Sequence, residues 1–272
     1  VGRFVVRQLG YIGCMMSHFD GRVRKDNAGL FTVETPDGTL LCCRAATRLR
    51  NDGKNVKPGD LVCGEDNGDG TGFITEVRPR RNDFLRPSVC NIDLLVIAVS
   101  ATTPATPLYN IDKQTALAAL NDVDCCIAVT KCDTEPDGMQ SALLRRIYTQ
   151  AGCKVVVTSA VTGEGVDTLR QRLEGCVSAF SGASGAGKSS LLNALYPAFA
   201  AQVGEISGRI SRGKNTTRLT ELFKAGQSTY IADTPGFSTV EVSRYGFIPK
   251  NELQYSFREF SEYLGKCRFR DC

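Results

Sequence analysis

The sequence predicts a multidomain chain: a small N-terminal β-barrel of OB type, an α/β domain on a mostly parallel sheet, and the start of a further small element. Three observations predict it. Residues Gly21 to Arg81 read as short alternating strands broken by turn signals, with no room for a helix of ordinary length. After "RPRRNDFLRPSVCN" apolar strands alternate with helical stretches, the pattern of βαβ units. After Val240 the chain turns polar and aromatic. The resulting division is an N-terminal extension over 1–19, the barrel over 20–83, the α/β domain over 84–240 and a C-terminal element over 241–272. A length of 272 residues suits about two domains, and a hydrophobic share of 42% is ordinary for a chain with a real core.

In the barrel the strand-like runs include "GLFTVET", "TLLCCRA", "LVCGE" and "FITEVR", and Asp37-Gly38 between two of them is a hairpin signal. In the α/β domain the expected strands are Asp93 to Ser100, Cys125 to Thr130, Lys154 to Ser159, Val177 to Ser181 and Thr229 to Asp233. The expected helices are Ile111 to Asn121, Met139 to Ala151, Val166 to Leu173 and Lys188 to Leu195. The longest apolar run, "LLVIAV" at Leu94 to Val99, falls far short of the roughly 20 residues of a membrane helix and reads as a buried strand. The first residues lack a signal peptide's apolar segment, so the expected location is the cytoplasm, with no membrane partner. Of twelve cysteines, Cys42, Cys43, Cys125 and Cys126 lie in apolar runs and read as small buried thiols kept reduced.

Four motifs carry chemistry. "GASGAGKS", Gly182 to Ser189, lies between an expected strand and an expected helix. Its glycines let the backbone N–H groups of Gly182, Ala183, Ser184, Gly185, Ala186, Gly187 and the following Ser190 curl around phosphates. Lys188 reaches the β- and γ-phosphates, and the Ser189 hydroxyl ligates Mg²⁺. "DTPG" follows a second strand: Asp233 holds Mg²⁺ through water and the Gly236 amide senses the γ-phosphate. "TKCD", Thr130, Lys131, Cys132 and Asp133, follows the strand "CCIAV". One carboxylate accepts both N1–H and N2–H₂ of guanine, whereas adenine offers no such donor pair, so Asp133 selects guanine while the Lys131 stem lies over the base. Asn is usual where Thr130 stands, and the replacement is expected to loosen the tie to the phosphate loop. "TSA", Thr158, Ser159 and Ala160, fits the loop whose backbone N–H meets guanine O6.

The order of these motifs, guanine reader, O6 loop, phosphate loop and magnesium Asp, reverses that of an ordinary GTPase. It is the order of a circular permutation, which leaves a site intact because sites depend on spatial position. A barrel, a permuted GTPase core and the terminal cysteines of "CRFRDC" together resemble the RsgA (YjeQ) family from about residue 20 onward. The resemblance implies an OB-type barrel, a circularly permuted α/β P-loop GTPase domain and the start of a small C-terminal zinc-binding domain. It further implies hydrolysis of GTP to GDP stimulated by the 30S ribosomal subunit, 16S rRNA contacted by the barrel and zinc domain, and a monomer. By the same resemblance Cys267 and Cys272 are zinc ligands, with a further His and Cys expected beyond residue 272. The one histidine, His18, is remote and reads as a surface residue.

Two departures concern catalysis. In "SRGKNTTR", Thr216 or Thr217 is expected to complete the Mg²⁺ shell, while Asn215 stands where the family usually has His. Asn orients a water but takes no proton near neutral pH. Phe237 follows Gly236 where Ras-like enzymes place a water-orienting Gln, which predicts slow intrinsic turnover. These departures keep one rival open, an RNA-binding assembly factor that uses the nucleotide as a structural switch. A second rival, a permuted GTPase of the large subunit, is disfavoured because the OB-like barrel and terminal cysteines suit the small-subunit family better.

A net charge of +4 permits an anionic partner without demanding one. Arg44 to Lys57 and Arg78 to Arg81 are basic clusters that could track an RNA backbone. Yet Gly21 to Arg81 holds eleven basic and nine acidic residues, so its overall charge decides nothing. Arg209, Arg212, Lys214 and Arg218 form a denser basic stretch.

Overall fold

A computed structural model of the chain describes residues 17–51, 55–84, 88–197, 221–233, 250–266 and 268. The N-terminal strands are β1 (Ser17–Asn27), β2 (Leu30–Glu34), β3 (Leu40–Ala45), β4 (Leu61–Asp66) and β5 (Thr71–Val77), with the short helix α1 (Thr47–Asn51) between β3 and β4. They pair in the order β1-β2-β3-β5-β4, and a β1–β4 ladder closes the ring. Only β3 and β5 run parallel within it, which gives an OB-like barrel of five strands. Alternation fills the inside: Phe19, Val23, Phe31, Val33, Leu41, Cys43, Val62 and Ile74 form one core with Leu49 and Val56. The same alternation corrects one expectation, because Cys42 is exposed while its neighbour Cys43 is buried. Ser17 to Phe19 belong to β1, inside the stretch expected as an extension. His18 is exposed there.

The β2–β3 hairpin turns at Asp37-Gly38, where the Asp37 carboxylate accepts from the Thr39 hydroxyl at 3.0 Å and Gly38 N–H donates to Thr35 O at 2.9 Å.

A joint follows, and it uses the second basic cluster. Asp60 is fully buried, and its carboxylate accepts two hydrogen bonds from Arg80, at 2.7 and 2.8 Å. Arg80 also pairs with Asp83 at 2.7 Å, and Lys57 pairs with Asp83 from the other side. Asp83 opens β6 (Asp83–Phe84), which pairs with β7 (Val89–Cys90). Arg81 reaches Asp93 at 2.6 Å and Ile92 O at 2.7 Å. Arg80 is therefore committed to the joint, whereas Arg81 is anchored at Asp93 and Ile92 but stays exposed.

The α/β domain comprises β8 (Leu94–Ser100), α2 (Leu108–Leu120), β9 (Asp124–Thr130), α3 (Met139–Gln150), β10 (Lys154–Val157), α4 (Val166–Leu173), β11 (Val177–Ser181), α5 (Lys188–Leu195), β12 (Glu221–Lys224) and β13 (Tyr230–Asp233). The sheet order is β10-β9-β8-β11-β13-β12, parallel except for β12. Every residue of β8 is buried, because the sheet is covered on both faces. One face packs Ile97, Ile127 and Leu222 with Ile111, Leu144 and Tyr148. The other packs Val96, Ala128 and Phe180 with Leu169, Leu173, Leu191 and Leu195.

Strand β12 was absent from the sequence expectation. It joins the two domains, since Lys25 of β1 faces Glu221 in an antiparallel ladder and the sheet runs on into the barrel as eleven strands. Arg24 adds a bond from Nε to Leu222 O at 2.5 Å, and Glu34 receives both Arg24 and Lys224.

Candidate nucleotide site

Strands β8, β9 and β10 succeed one another toward one edge, while β11 and β13 progress toward the other. The reversal falls between β8 and β11. In an open parallel sheet, ligands bind at the carboxyl ends of the strands beside such a point. The loops after β8, β9, β10 and β11 all emerge at that pole.

The loop from Gly182 to Gly187 links β11 to α5. Gly182 has φ +137°, and a Cβ there would stand 2.3 Å from Ala98 O. At Gly187, φ is +84° and a Cβ would press on Thr130 Oγ1 at 3.2 Å. Both positions thus need glycine for conformation and for space. Ala186 is fully buried, whereas Ser184, Gly185, Ser189 and Ser190 face solvent. The N-cap of α5 is Gly187, with no side chain bonded to the helix start, so its first-turn N–H groups are open to a ligand. Lys188 Nζ turns across the loop to Gly182 O at 2.5 Å and Ala183 O at 3.1 Å, and burial lowers its pKa.

Thr130, at the end of β9, is buried and donates its hydroxyl to Ala186 O at 2.6 Å. The expected loosening is therefore corrected: the short hydroxyl reaches because the end of β9 lies against the phosphate loop. Lys131 has φ +60°, and its ammonium donates to Thr103 O at 2.8 Å. Cys132 and Asp133 begin a single 3-10 turn ending at Thr134, and Asp133 is exposed to the open pole. The Cys132 N–H donates to Thr158 O at 3.3 Å, which ties this turn to the loop after β10. In that loop Ser159 is fully buried, and its Oγ accepts the N–H groups of Val161 and Thr162, each at 3.1 Å. The Ser159 N–H goes to Glu164 O at 3.0 Å.

Sequence reasoning missed the loop after β8. Besides the Thr103 carbonyl, its Thr102 hydroxyl meets that of Thr134 at 2.8 Å, and the Pro104 ring stands beside Gly185. The available signal was "SATTP", a small-residue run directly after the most apolar strand, where a parallel sheet places its ligand loops.

Asp233 is placed only as the last residue of β13. Asn215, Thr216, Thr217, Gly236, Phe237, Cys267 and Cys272 lie outside the described residues, as does the basic stretch from Arg209 to Arg218. Among the described residues no three His, Cys, Asp or Glu side chains converge to hold a metal, and no helix is long and apolar enough to cross a membrane.

Comparison with known proteins agrees with this geometry. The chain is similar to the small ribosomal subunit biogenesis GTPase RsgA of Caldanaerobacter subterraneus, with 36% identity over 259 residues, 94% of this chain and 85% of that protein. The RsgA of Thermotoga neapolitana is likewise 36% identical, over 93% of this chain and 84% of its own length. Among solved structures, YjeQ from Thermotoga maritima superposes with a TM-score of 0.78 at 30% identity, covering 94% of this chain and 86% of its own. YloQ, a circularly permuted GTPase, gives 0.76 at 26% identity, over 97% of this chain and 85% of its own. A family model described as RsgA GTPase matches residues 77–243. The chain, a permuted P-loop domain fused to an OB-like barrel, belongs to the RsgA GTPase family.

Proposed function

We propose that this protein binds GTP at the carboxyl pole of its parallel sheet and hydrolyses it to GDP and phosphate to assist late maturation of the 30S ribosomal subunit in the cytoplasm. One observation carries the reading: the Thr130 hydroxyl on the Ala186 carbonyl holds the guanine-reading turn against the phosphate loop despite their inverted order in the chain.

In this reading Asp133 accepts from the guanine N1–H and N2–H₂. Because Ser159 N–H is already given to Glu164, the Ala160 amide is the one that meets O6. Lys188 exchanges two neutral carbonyls for phosphate oxygens, and its low-dielectric setting strengthens that contact. The exposed Ser189 at the start of α5 fits a magnesium ligand, with Asp233 and Thr216 or Thr217 as the other protein groups. Mg²⁺, when bound, neutralises charge on the β- and γ-phosphate oxygens. The Gly236 amide follows the γ-phosphate, and Asn215 orients the attacking water without taking its proton.

Contact with 16S rRNA rests on Arg44, Arg48 and Arg81, all exposed, rather than on Arg80, which the Asp60 carboxylate holds. Zinc is assigned to Cys267 and Cys272, and the protein acts as a monomer.

The test is hydrolysis by the purified protein alone, with 30S subunits and with 50S subunits, using ATP as control. Stimulation of GTP hydrolysis by 30S alone is expected. Equal turnover in all three conditions would overturn the ribosomal part of the reading and leave a guanine-nucleotide hydrolase.

A further inference from the structure

The opposite pole of the parallel sheet holds a pair of thiols that the nucleotide chemistry leaves unused. Cys125 stands near the start of β9 and Cys153 just before β10. The parallel register that faces Cys126 with Lys154 sets these two side by side, one residue earlier. Side chains alternate across a strand, so the pair shares a face with Ile127 and Val155, while Cys126 points to the other. Each of the two is 7% exposed.

A cavity of about 360 Å³ opens over them, bounded by α2, α3 and residues 256–259. Its lining includes Asp112, Tyr148, Cys125, Cys153 and Arg258. Arg258 is fixed there by bonds to Val123 O at 3.0 Å and the Asp124 carboxylate at 3.2 Å. Interaction with the neighbouring Cys125 thiol, helped by the Arg258 charge, holds the Cys153 thiol below its ordinary pKa against its burial and against Glu259 and Asp112. The same interaction, with burial, pushes Cys125 well up. Two thiols side by side at the wall of a cavity, one of them easier to ionise than its neighbour, is the arrangement that thiol–disulfide exchange uses. Neighbouring strands lie about 4.8 Å apart, inside the Cα separation of roughly 4.4–6.8 Å that a disulfide spans.

We propose that Cys125 and Cys153 form a redox-active dithiol, oxidised to a disulfide by low-molecular-weight disulfides that enter this cavity. In the first step the Cys153 thiolate attacks one sulfur of the small disulfide, forming a mixed disulfide and expelling one small thiolate. Cys125 then gives up its proton and attacks Cys153 Sγ, expelling the second. The protein dithiol loses two electrons and two protons overall, and the oxidant leaves as two thiols. The new bond encloses the guanine-reading turn and α3 in one covalent loop, and it removes both free thiols from the wall of the cavity that Arg258 lines.

The test treats the full chain with oxidised glutathione, blocks free thiols with N-ethylmaleimide, and maps peptides without reduction, using fragmentation to separate Cys125 from Cys126. The expected product is a Cys125–Cys153 cross-link, reversed by dithiothreitol, at an oxidant level where Cys43 and Cys126 remain free thiols. Burial pushes those two up to about 12 and about 11. In Cys125→Ser the second step has no partner, so Cys153 accumulates as the glutathione mixed disulfide. Absence of the cross-link under conditions that convert exposed Cys42 to a mixed disulfide overturns the proposal, and so does cross-linking of Cys126 in place of Cys125. The map of the unaltered protein decides the matter by itself if Cys125→Ser does not fold.

Discussion

Two cations, Arg80 in the joint and Lys188 in the phosphate loop, are both partly buried, and they differ in what faces them. Arg80 holds the carboxylates of Asp60 and Asp83. Lys188 holds two backbone carbonyls. A phosphate competes well with neutral carbonyls and poorly with a buried carboxylate, so one cation is available to a ligand and the other is spoken for. Sequence shows both as basic residues near turns; their partners decide which one does chemistry.

Removing each cation should therefore fail in a different way. Arg80→Ala leaves the fully buried Asp60 without its main partner, a loss of about 3–5 kcal/mol by analogy with other broken buried pairs. A fall in thermal midpoint of roughly 10 °C in the unliganded protein is expected. Lys188→Ala removes a desolvated ammonium that has no carboxylate partner among the described residues, so the midpoint should hold or rise slightly. Its GTP hydrolysis should fall about 10²–10³-fold, the range seen when one positioned charge-stabilising donor is lost. Calorimetry and a phosphate-release assay on both variants check the crossing. Were Lys188→Ala to unfold the protein while Arg80→Ala spared it, the comparison would be reversed.

Thr130 sharpens the contrast from inside the site. Thr130→Val keeps the shape but orphans the Ala186 carbonyl, which costs about 1–2 kcal/mol and should weaken GDP and GTP binding by about tenfold alike. Thr130→Ser should restore most of it. A fluorescent GDP titration reads this directly, and Thr130→Val binding as tightly as the parent would show that the loop keeps its shape unaided.

Much of this was legible in the chain. The strand Val177 to Ser181 and the helices Val166 to Leu173 and Lys188 to Leu195 appear at the residues expected, because long apolar runs in a two-faced sheet and glycine punctuation are local signals. Strand β12 was not legible. Its four residues, "ELFK", carry a charge at each end, and those charges mean something only once Lys25 and Glu34 of the barrel are known to face them. The partners of the RPRR cluster were not legible for a like reason: Asp60 lies 20 residues from Arg80 and Asp93 lies 12 from Arg81, and only Asp83, three residues from Arg80, is close in sequence. Thr130 misled through length, since a sequence cannot show how close a strand end lies to a loop 56 residues on.

The smallest effect lies where barrel and GTPase domain meet. Burial would raise the Glu34 carboxyl, but hydrogen bonds from Lys224 and Arg24 hold it below its ordinary 4.5. A depressed carboxylate stabilises the fold above its unfolded pKa, and that share disappears as pH falls through the folded value. Glu34→Gln lacks the ionised form at every pH. The two proteins should differ by on the order of 1 kcal/mol near neutrality, and their urea midpoints should converge only below pH 4.5. A constant gap down to pH 2 would mean that Glu34 stabilises the joint by packing alone. A gap that closed on the alkaline side instead would place the titrating group elsewhere, because Lys224, whose pKa the same bond raises, would then be the partner that sets the pH range.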